Sequence, residues 1–464
     1  MPTSDTPLSV AASRGLSLAL GQAPSSTPDG AYDMSQMTYL GAFVIDHTDG
    51  VSTTDYNMGR LGFRPPDGST NGSFGSVYTD SIYGAAVAEF EIPALSTSTD
   101  RTALPKATNI QNFKELDDIY TDNNGRDRIG YIGYADGKLY VATYKNYDNS
   151  SSAENVAIFD NAANLQAGGR GAIEVVGRDS TVNYFAPIPA EWQSALGGTH
   201  LVGSGGGMSI SSRTSYGPAL FAFTPADVGP TDTTISTVKH MQFPHDKGDG
   251  QPGALATDIY PRPVDWEENN VHPEWDQYNE SVTRHYLNQL GFATYEEWRT
   301  SSPRTEWSTL TPPDPSIVND LWVNNSHGVC HPEIGFIVPG TSTFLAIGRM
   351  SGRRYGIGYK EIGFQGGNAD NGGAPLDRTD RDNWFWAFDL NEVVAAPNSY
   401  STQPYDYGVF QNNRWADYMF DDVNGMVSGG AYDPDNDRLY VAQKYEGGGV
   451  IEIVVSVYSL GVQS

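Results

Sequence analysis

Cysteine is almost missing from this chain, and positive charge is scarce. A single cysteine, Cys330, stands among 464 residues, so an intrachain disulfide framework and a four-cysteine metal cluster are both ruled out. A packed core must hold the fold instead, and 38% hydrophobic residues at this length can supply one. Lysine and arginine number 28 against 56 acidic residues, a net charge of −28. A surface of that sign repels phosphate backbones and anionic membranes, so no nucleic-acid partner is expected. Membrane insertion is not expected either, because the apolar stretch Leu16 to Leu20 falls far short of the ~20 residues that a bilayer span needs. The N-terminus, Met1-Pro2-Thr3-Ser4-Asp5, lacks the basic residues that open a secretion signal. An acidic, tyrosine-rich, lysine-poor composition nevertheless suits the outside of a cell. Such a chain has had its signal trimmed, uses another export route, or leaves its host inside an assembled virus particle.

Glycine (51) and proline (28) are plentiful, which predicts many turns and few long helices. A repeat of about 70 residues organises them. Gly133-Tyr134-Ala135-Asp136-Gly137-Lys138-Leu139-Tyr140-Val141-Ala142 returns as Ala431-Tyr432-Asp433-Pro434-Asp435-Asn436-Asp437-Arg438-Leu439-Tyr440-Val441-Ala442. Gly335 to Ala346 is a looser copy, and Leu61 to Gly68 supplies the first half of another. Each reads as strand, polar turn, strand. A further strand follows each hairpin, ending at Phe90, Phe159, Phe223 and Phe388, at steps of 69, 64 and 165 residues. The last step is one period plus an insertion. Short strands such as Tyr39–Phe43 and Tyr407–Phe410 are read as opening each unit. Four strands per unit, five times over, predict an all-β fold: a β-propeller of five four-stranded blades, with six blades or a β-sandwich as alternatives. A single sheet cannot bury both apolar faces, whereas blades packed around an axis cover one another.

Residues 1–35, rich in Ser, Thr, Pro and Ala, lie outside the repeat and are expected to form an N-terminal arm. The propeller is assigned to 36–464. Residues 245–325 are read as an insertion in the fourth blade, with its own tryptophans and the helical pattern Tyr278 to Leu290. Long insertions on a rigid scaffold are where function tends to sit, and a cap over a sheet edge is the plainer alternative.

The densest group of chemical residues runs from Asn324 to Glu333, with His327 and His331, and continues through Arg349, Arg353, Arg354, Tyr355, Tyr359 and Lys360. Gly328 and Pro332 favour an extended or looped backbone, which argues against a zinc ion shared by the two histidines. His327, His331, Arg353, Arg354, Tyr355 and Tyr359 have the types a polysaccharide lyase uses: a cation offsets a uronate carboxylate while His or Tyr moves protons at the adjacent carbons. Trp266, Trp275, Trp322, Arg349 and Tyr355 are the candidate sugar-contacting residues, since an aromatic face stacks on a sugar ring. The acidic turns Asp433 to Asp437 and Asp122 to Asp127 offer oxygen ligands of Ca2+ type, but neither has the Glu that completes an EF-hand loop, and hairpin turns use the same residues.

Ile188-Pro189-Ala190-Glu191-Trp192-Gln193-Ser194-Ala195-Leu196-Gly197-Gly198 and Ser211 to Ala219 resemble a group of bacterial and phage-encoded propeller-like proteins without an assigned activity. The likeness extends through His331 to Lys360 and the last repeat, and no catalytic residue can be carried over from it. A fainter resemblance is to propeller-type ulvan lyases, which implies His and Tyr catalysis. Leu16-Ser17-Leu18-Ala19-Leu20-Gly21-Gln22 with Tyr32-Asp33-Met34-Ser35-Gln36-Met37 is similar to the openings of phage tail and virion structural proteins. The resemblances imply a phage virion protein of the tail or adhesion apparatus. Its arm would dock on other virion proteins in an oligomeric assembly, and its propeller loops would meet host-surface glycan. A secreted polysaccharide lyase is the alternative.

Overall fold

The computed structural model describes residues 27–242 apart from 56, 58, 69, 82–85, 117–118, 120–127, 145–155, 174, 177–182, 204–216 and 228–234; then 288, 289 and 291; then 330–462 apart from 352–356, 361–371, 376–380, 400, 411–424 and 448–449. Alternating apolar residues with short polar turns produce five four-stranded antiparallel sheets. The first blade is β2 (Leu61–Arg64), β3 (Ser76–Asp80), β4 (Ala86–Glu91) and β5 (Thr108–Glu115). The second is β6 (Arg128–Ala135), β7 (Lys138–Tyr144), β8 (Val156–Phe159) and β9 (Arg170–Ile173). Strands β11 (Tyr184–Pro187), β12 (His200–Gly203), β13 (Leu220–Phe223) and β15 (Val238–Met241) form the third. The fourth comprises β16 (Cys330–Ile337), β17 (Thr343–Ser351), β20 (Arg381–Asp389) and β21 (Asp406–Val409). The fifth joins β22 (Met426–Asp433), β23 (Arg438–Gly447) and β24 (Val450–Ser459) to β1 (Thr38–Ile45) from the start of the chain. Two small two-stranded sheets, β10 (Val175–Val176) with β14 (Ile235–Ser236) and β18 (Ile357–Lys360) with β19 (Gly372–Pro375), lie beside them.

The first strands of successive blades touch in a closed circuit, β2 to β6 to β11 to β16 to β22 and back to β2. The molecule is therefore a five-bladed propeller with those strands innermost. Leu139 and Leu439 occupy matching places, each fully buried and paired with Tyr134 or Tyr432 across the hairpin. The apolar clusters lie between blades, as radial packing requires. Phe43, Ile453 and Val455 of the fifth blade meet Leu61, Val77 and Phe90 of the first, and Tyr78 and Val87 of the first meet Leu139 and Phe159 of the second. Close approach of neighbouring inner strands fixes some residue sizes. A Cβ on Gly133 would stand 2.4 Å from the Phe185 ring of the next blade.

Two details depart from the sequence reading. Tyr39–Phe43 and Tyr407–Phe410 do not open their units: the first lies in β1 and the second in β21, each an outermost strand. Strand β1 pairs with β24 from Thr38↔Ser459 to Ile45↔Ile453, so the start of the chain closes the last blade. The end of the expected arm is also part of the core. Tyr32 and Met34 are buried, the Tyr32 hydroxyl donates to the Leu460 carbonyl at 2.8 Å, and the Tyr405 hydroxyl donates to the Tyr32 carbonyl at 2.8 Å. These bonds seal the fourth blade to the fifth.

Each inner strand begins at one face and turns back at the other. The hairpin face carries compact turns such as those of β6–β7 and β22–β23 beside the longer connections 92–107, 188–199 and 390–405. At Ala135–Lys138 both Asp136 (φ 51°) and Gly137 (φ 78°) are left-handed, the geometry of a two-residue hairpin loop. The connections 243–329 (β15 to β16), 352–380 (β17 to β20, including β18 and β19) and 411–424 (β21 to β22) join strand ends of the opposite, entry face. The insertion thus joins β15 to β16, just ahead of the fourth blade's innermost strand. Of its helical pattern only Asn288 and Gln289 are described, both helical, and Trp266, Trp275 and Trp322 lie outside the described residues, as do residues 1–26 of the arm.

Candidate functional site at the axial mouth

At the entry face, charged side chains from several blades converge on the axis. Strand β16 makes a bulge between Pro332 and Ile334. Strands β6 and β22 make the same irregularity, between Ile129 and Tyr131 and between Val427 and Gly429. A bulge interrupts the in–out alternation and re-aims a side chain, and the residue in this one is Glu333, 1% exposed. One Glu333 oxygen accepts from Arg60 Nη1, and the other accepts from Arg349 Nη2 at 2.6 Å. Arg60, just ahead of β2, also donates from Nε to the Ile129 carbonyl (3.2 Å) and from Nη1 to the Ser428 carbonyl (3.1 Å). One guanidinium therefore ties the first blade to the second, fourth and fifth. Asn183 brings in the third, donating to the Pro332 carbonyl at 3.1 Å. The fully buried Asp80, at the end of β3, accepts from the Arg60 backbone N–H at 2.8 Å.

Lys444 completes the group from β23. By surface area it keeps a partial opening to solvent, yet protein surrounds it densely. Burial is the main force on its ammonium; Asp80 and Glu333 act to raise the pKa and Arg349 and Arg60 to lower it, and the net effect pushes it down from 10.5 to about 8. Three cations, Arg60, Arg349 and Lys444, thus face two carboxylates, Asp80 and Glu333. Among these described groups cations outnumber carboxylates by one, in a chain whose net charge is −28.

Of the residues singled out from sequence, His331 and Arg349 belong here. They stand directly opposite each other on β16 and β17, and His331 is half-buried. Tyr359 lies in strand β18 of the separate β18–β19 sheet, which follows β17 in the chain. His327, Arg353, Arg354 and Tyr355 lie outside the described residues. The sequence reading missed Arg60, Asp80 and Lys444, and gave Glu333 no role. A lone charged residue close to a strand end was the only signal each offered.

The acidic turn Asp433 to Asp437 is at the hairpin face, where its carboxylates are used by the chain itself. Asp433 accepts from the backbone N–H groups of Asp435 and Asn436. Asp437 accepts from the Ser459 hydroxyl and the N–H groups of Leu460 and Gly461. The turn serves the hairpin and the closing strand, and the other acidic turn, 122–127, lies outside the described residues. Among the described residues, no group of three or more His, Cys, Asp or Glu could hold a metal ion. Likewise, no helix among them is long and apolar enough to cross a membrane.

The hairpin end of the axis holds a separate cavity of about 160 Å³, lined mainly by apolar residues including Phe63, Ile132, Phe185 and Tyr432. Beside it His200 packs on Phe185 at 5.1 Å, and burial pushes its pKa down to about 4, so the imidazole is neutral at neutral pH. The two ends of the axis thus differ in kind: one is aromatic, and the other carries charge beneath the long connections. No protein-family model matches the sequence, and no curated protein matches it.

Proposed function

We propose that this chain is a glycan-recognising propeller of a phage virion, in the tail or adhesion apparatus, which meets acidic host-surface polysaccharide with its entry face. One observation carries the glycan part: Arg60, Arg349 and Lys444 gather near the axis at the entry face, where the connections 243–329 and 411–424 join the strands. A strongly acidic surface repels an anionic polymer everywhere else, so a recessed positive site selects where such a polymer can bind. Trp266, Trp275, Trp322 and Tyr355 belong to segments anchored at this face and are the proposed stacking residues. The virion setting is supported by the N-terminal resemblance alone. Because Tyr32 and Met34 are used internally, docking on other virion proteins falls to residues 1–26. Individually weak contacts would be strengthened by many copies on one particle.

The test is a polysaccharide panel. The purified chain is expected to bind uronate-containing or sulfated polymers, to lose most of that binding as salt is raised, and to ignore neutral glucans. Equal binding to neutral polymers would sink the proposal.

A second reading, a polysaccharide lyase, is favoured by Lys444. With its pKa pushed down to about 8, a useful fraction is neutral and able to accept a proton, while Arg349 offsets the uronate carboxylate. Lys444 takes the proton beside that carboxylate, the released electron pair forms the C4=C5 double bond, the C4–O bond breaks, and the leaving oxygen takes a proton from water. Growth of ultraviolet absorbance from the unsaturated product, lost in Lys444→Met, is the expected sign.

A further inference from the structure

We infer that Lys444, Arg349 and Arg60 form a subsite for a single monoanionic group, the carboxylate or sulfate ester of one acidic sugar. The sugar part of this inference rests on the glycan reading; the anion subsite does not. Two donors at the mouth are left unused. The Arg349 Nε–H is buried and makes no hydrogen bond, although Nη2 of the same guanidinium holds Glu333. The Lys444 ammonium makes no hydrogen bond or ion pair with the described residues, while Asp80, Arg349, Arg60 and Glu333 all act on it electrostatically. An idle buried donor such as Arg349 Nε is costly, and an anion with two acceptor oxygens would match it together with the Lys444 ammonium.

The charges around Lys444 favour a ligand of low negative charge. Three cations against two carboxylates leave a surplus of one, which a carboxylate or sulfate ester neutralises. A dianionic phosphate monoester would overshoot it and meet Glu333 and Asp80. Neutral sugars can accept from these donors through hydroxyl oxygens but bring no countercharge. Arg60 is already committed to Glu333, Ile129 and Ser428, so it supplies field, while Arg349 Nε and Lys444 supply the bonds.

Trace acetylation of the full chain, read at Lys444 by mass spectrometry across pH, tests this directly. Without added anion, reactivity is expected to rise with a midpoint near 8. A glucuronate oligosaccharide, or its sulfated counterpart, should move the midpoint up by about one pH unit or more and slow labelling at pH 8 at least roughly fivefold. Arg349→Gln should abolish the shift while the protein stays folded, because Glu333 keeps Arg60. Arg349→Lys, which keeps the charge without the Nε–H, should restore only part of it. If sulfate or acetate shifts the midpoint and the acidic oligosaccharides do not, the subsite stands and the glycan reading falls. If acidic polysaccharide binds wild type and both variants equally and leaves Lys444 reactivity unchanged, the subsite is overturned and the glycan reading survives. A midpoint that no anion moves overturns the subsite.

Discussion

Glu333→Gln is expected to lower stability by about 3–5 kcal/mol, the range for removing one partner of a buried ion pair. Glu333 is 1% exposed and binds both Arg60 and Arg349. Its amide counterpart leaves the two guanidiniums facing each other and Lys444, with Asp80 the remaining countercharge in the group. The loss concentrates where the blades meet, since Arg60 also holds the Ile129 and Ser428 carbonyls. A urea unfolding curve measures it: the midpoint should fall with little change in slope. A change under about 1 kcal/mol would mean that solvent or another group already neutralises the arginines, and that the axial cluster does not lock the ring.

Lys444→Met is expected to act in the opposite direction and stabilise the protein by about 1–3 kcal/mol at pH 7, an amount discounted from the full drop in pKa because the side chain keeps some solvent contact. The sign follows from proton binding. The folded form holds its proton with a pKa of about 8 and the unfolded chain with the ordinary 10.5, so between those values the unfolded state carries more protons and stability rises with pH. Below about 8 the cost of the buried cation is fully present, and above 10.5 it is gone. The advantage of Lys444→Met should therefore be largest at neutral pH and fade as pH passes through that window. A residue whose removal stabilises the fold is one whose retention needs another reason, and the anion subsite supplies it. If the variant is less stable than wild type at pH 7, Lys444 is a structural partner and the reason disappears.

The propeller was readable because four of its five inner hairpins keep recognisable strings. The Gly133 and Ala431 segments repeat an aromatic, a polar turn and a Leu-Tyr-Val-Ala strand, and the pairings of Leu139 and Leu439 show that the repeat is spatial as well as textual. The third blade hid its hairpin. It has Phe185 where the second has Gly133, filling the space beside that glycine, and a short helix, Ala190–Leu196, where a polar turn was sought. Ring closure was not readable. Pairing β1 with β24 joins residues more than 400 apart, and Tyr39–Phe43 looks locally like any other strand. The buried Tyr32 and Met34 were taken into the arm for the same reason, since their partners, Leu460 and Tyr405, lie at the far end of the sequence.

The site was legible only where its residues are neighbours in sequence. His331 and Arg349 share one hairpin, and their density drew attention to them. Arg60, Asp80 and Lys444 come from the first and fifth blades, and each, read alone, looks like a solvated charge at a strand end. Only closure of the ring brings them to one axis, with the bulge at Glu333 turning a carboxylate between two guanidiniums.

Hydroxyl-radical footprinting of the chain with and without a glucuronate oligosaccharide asks which face does the work. Protection is expected around His331, Arg349 and Lys444 and in the segments that open beside them, with Asp136 and Asp433 to Asp437 at the hairpin face unchanged. Protection confined to the hairpin face, around Tyr432 and Phe63, would contradict the assignment of the axial charge cluster as the recognition site.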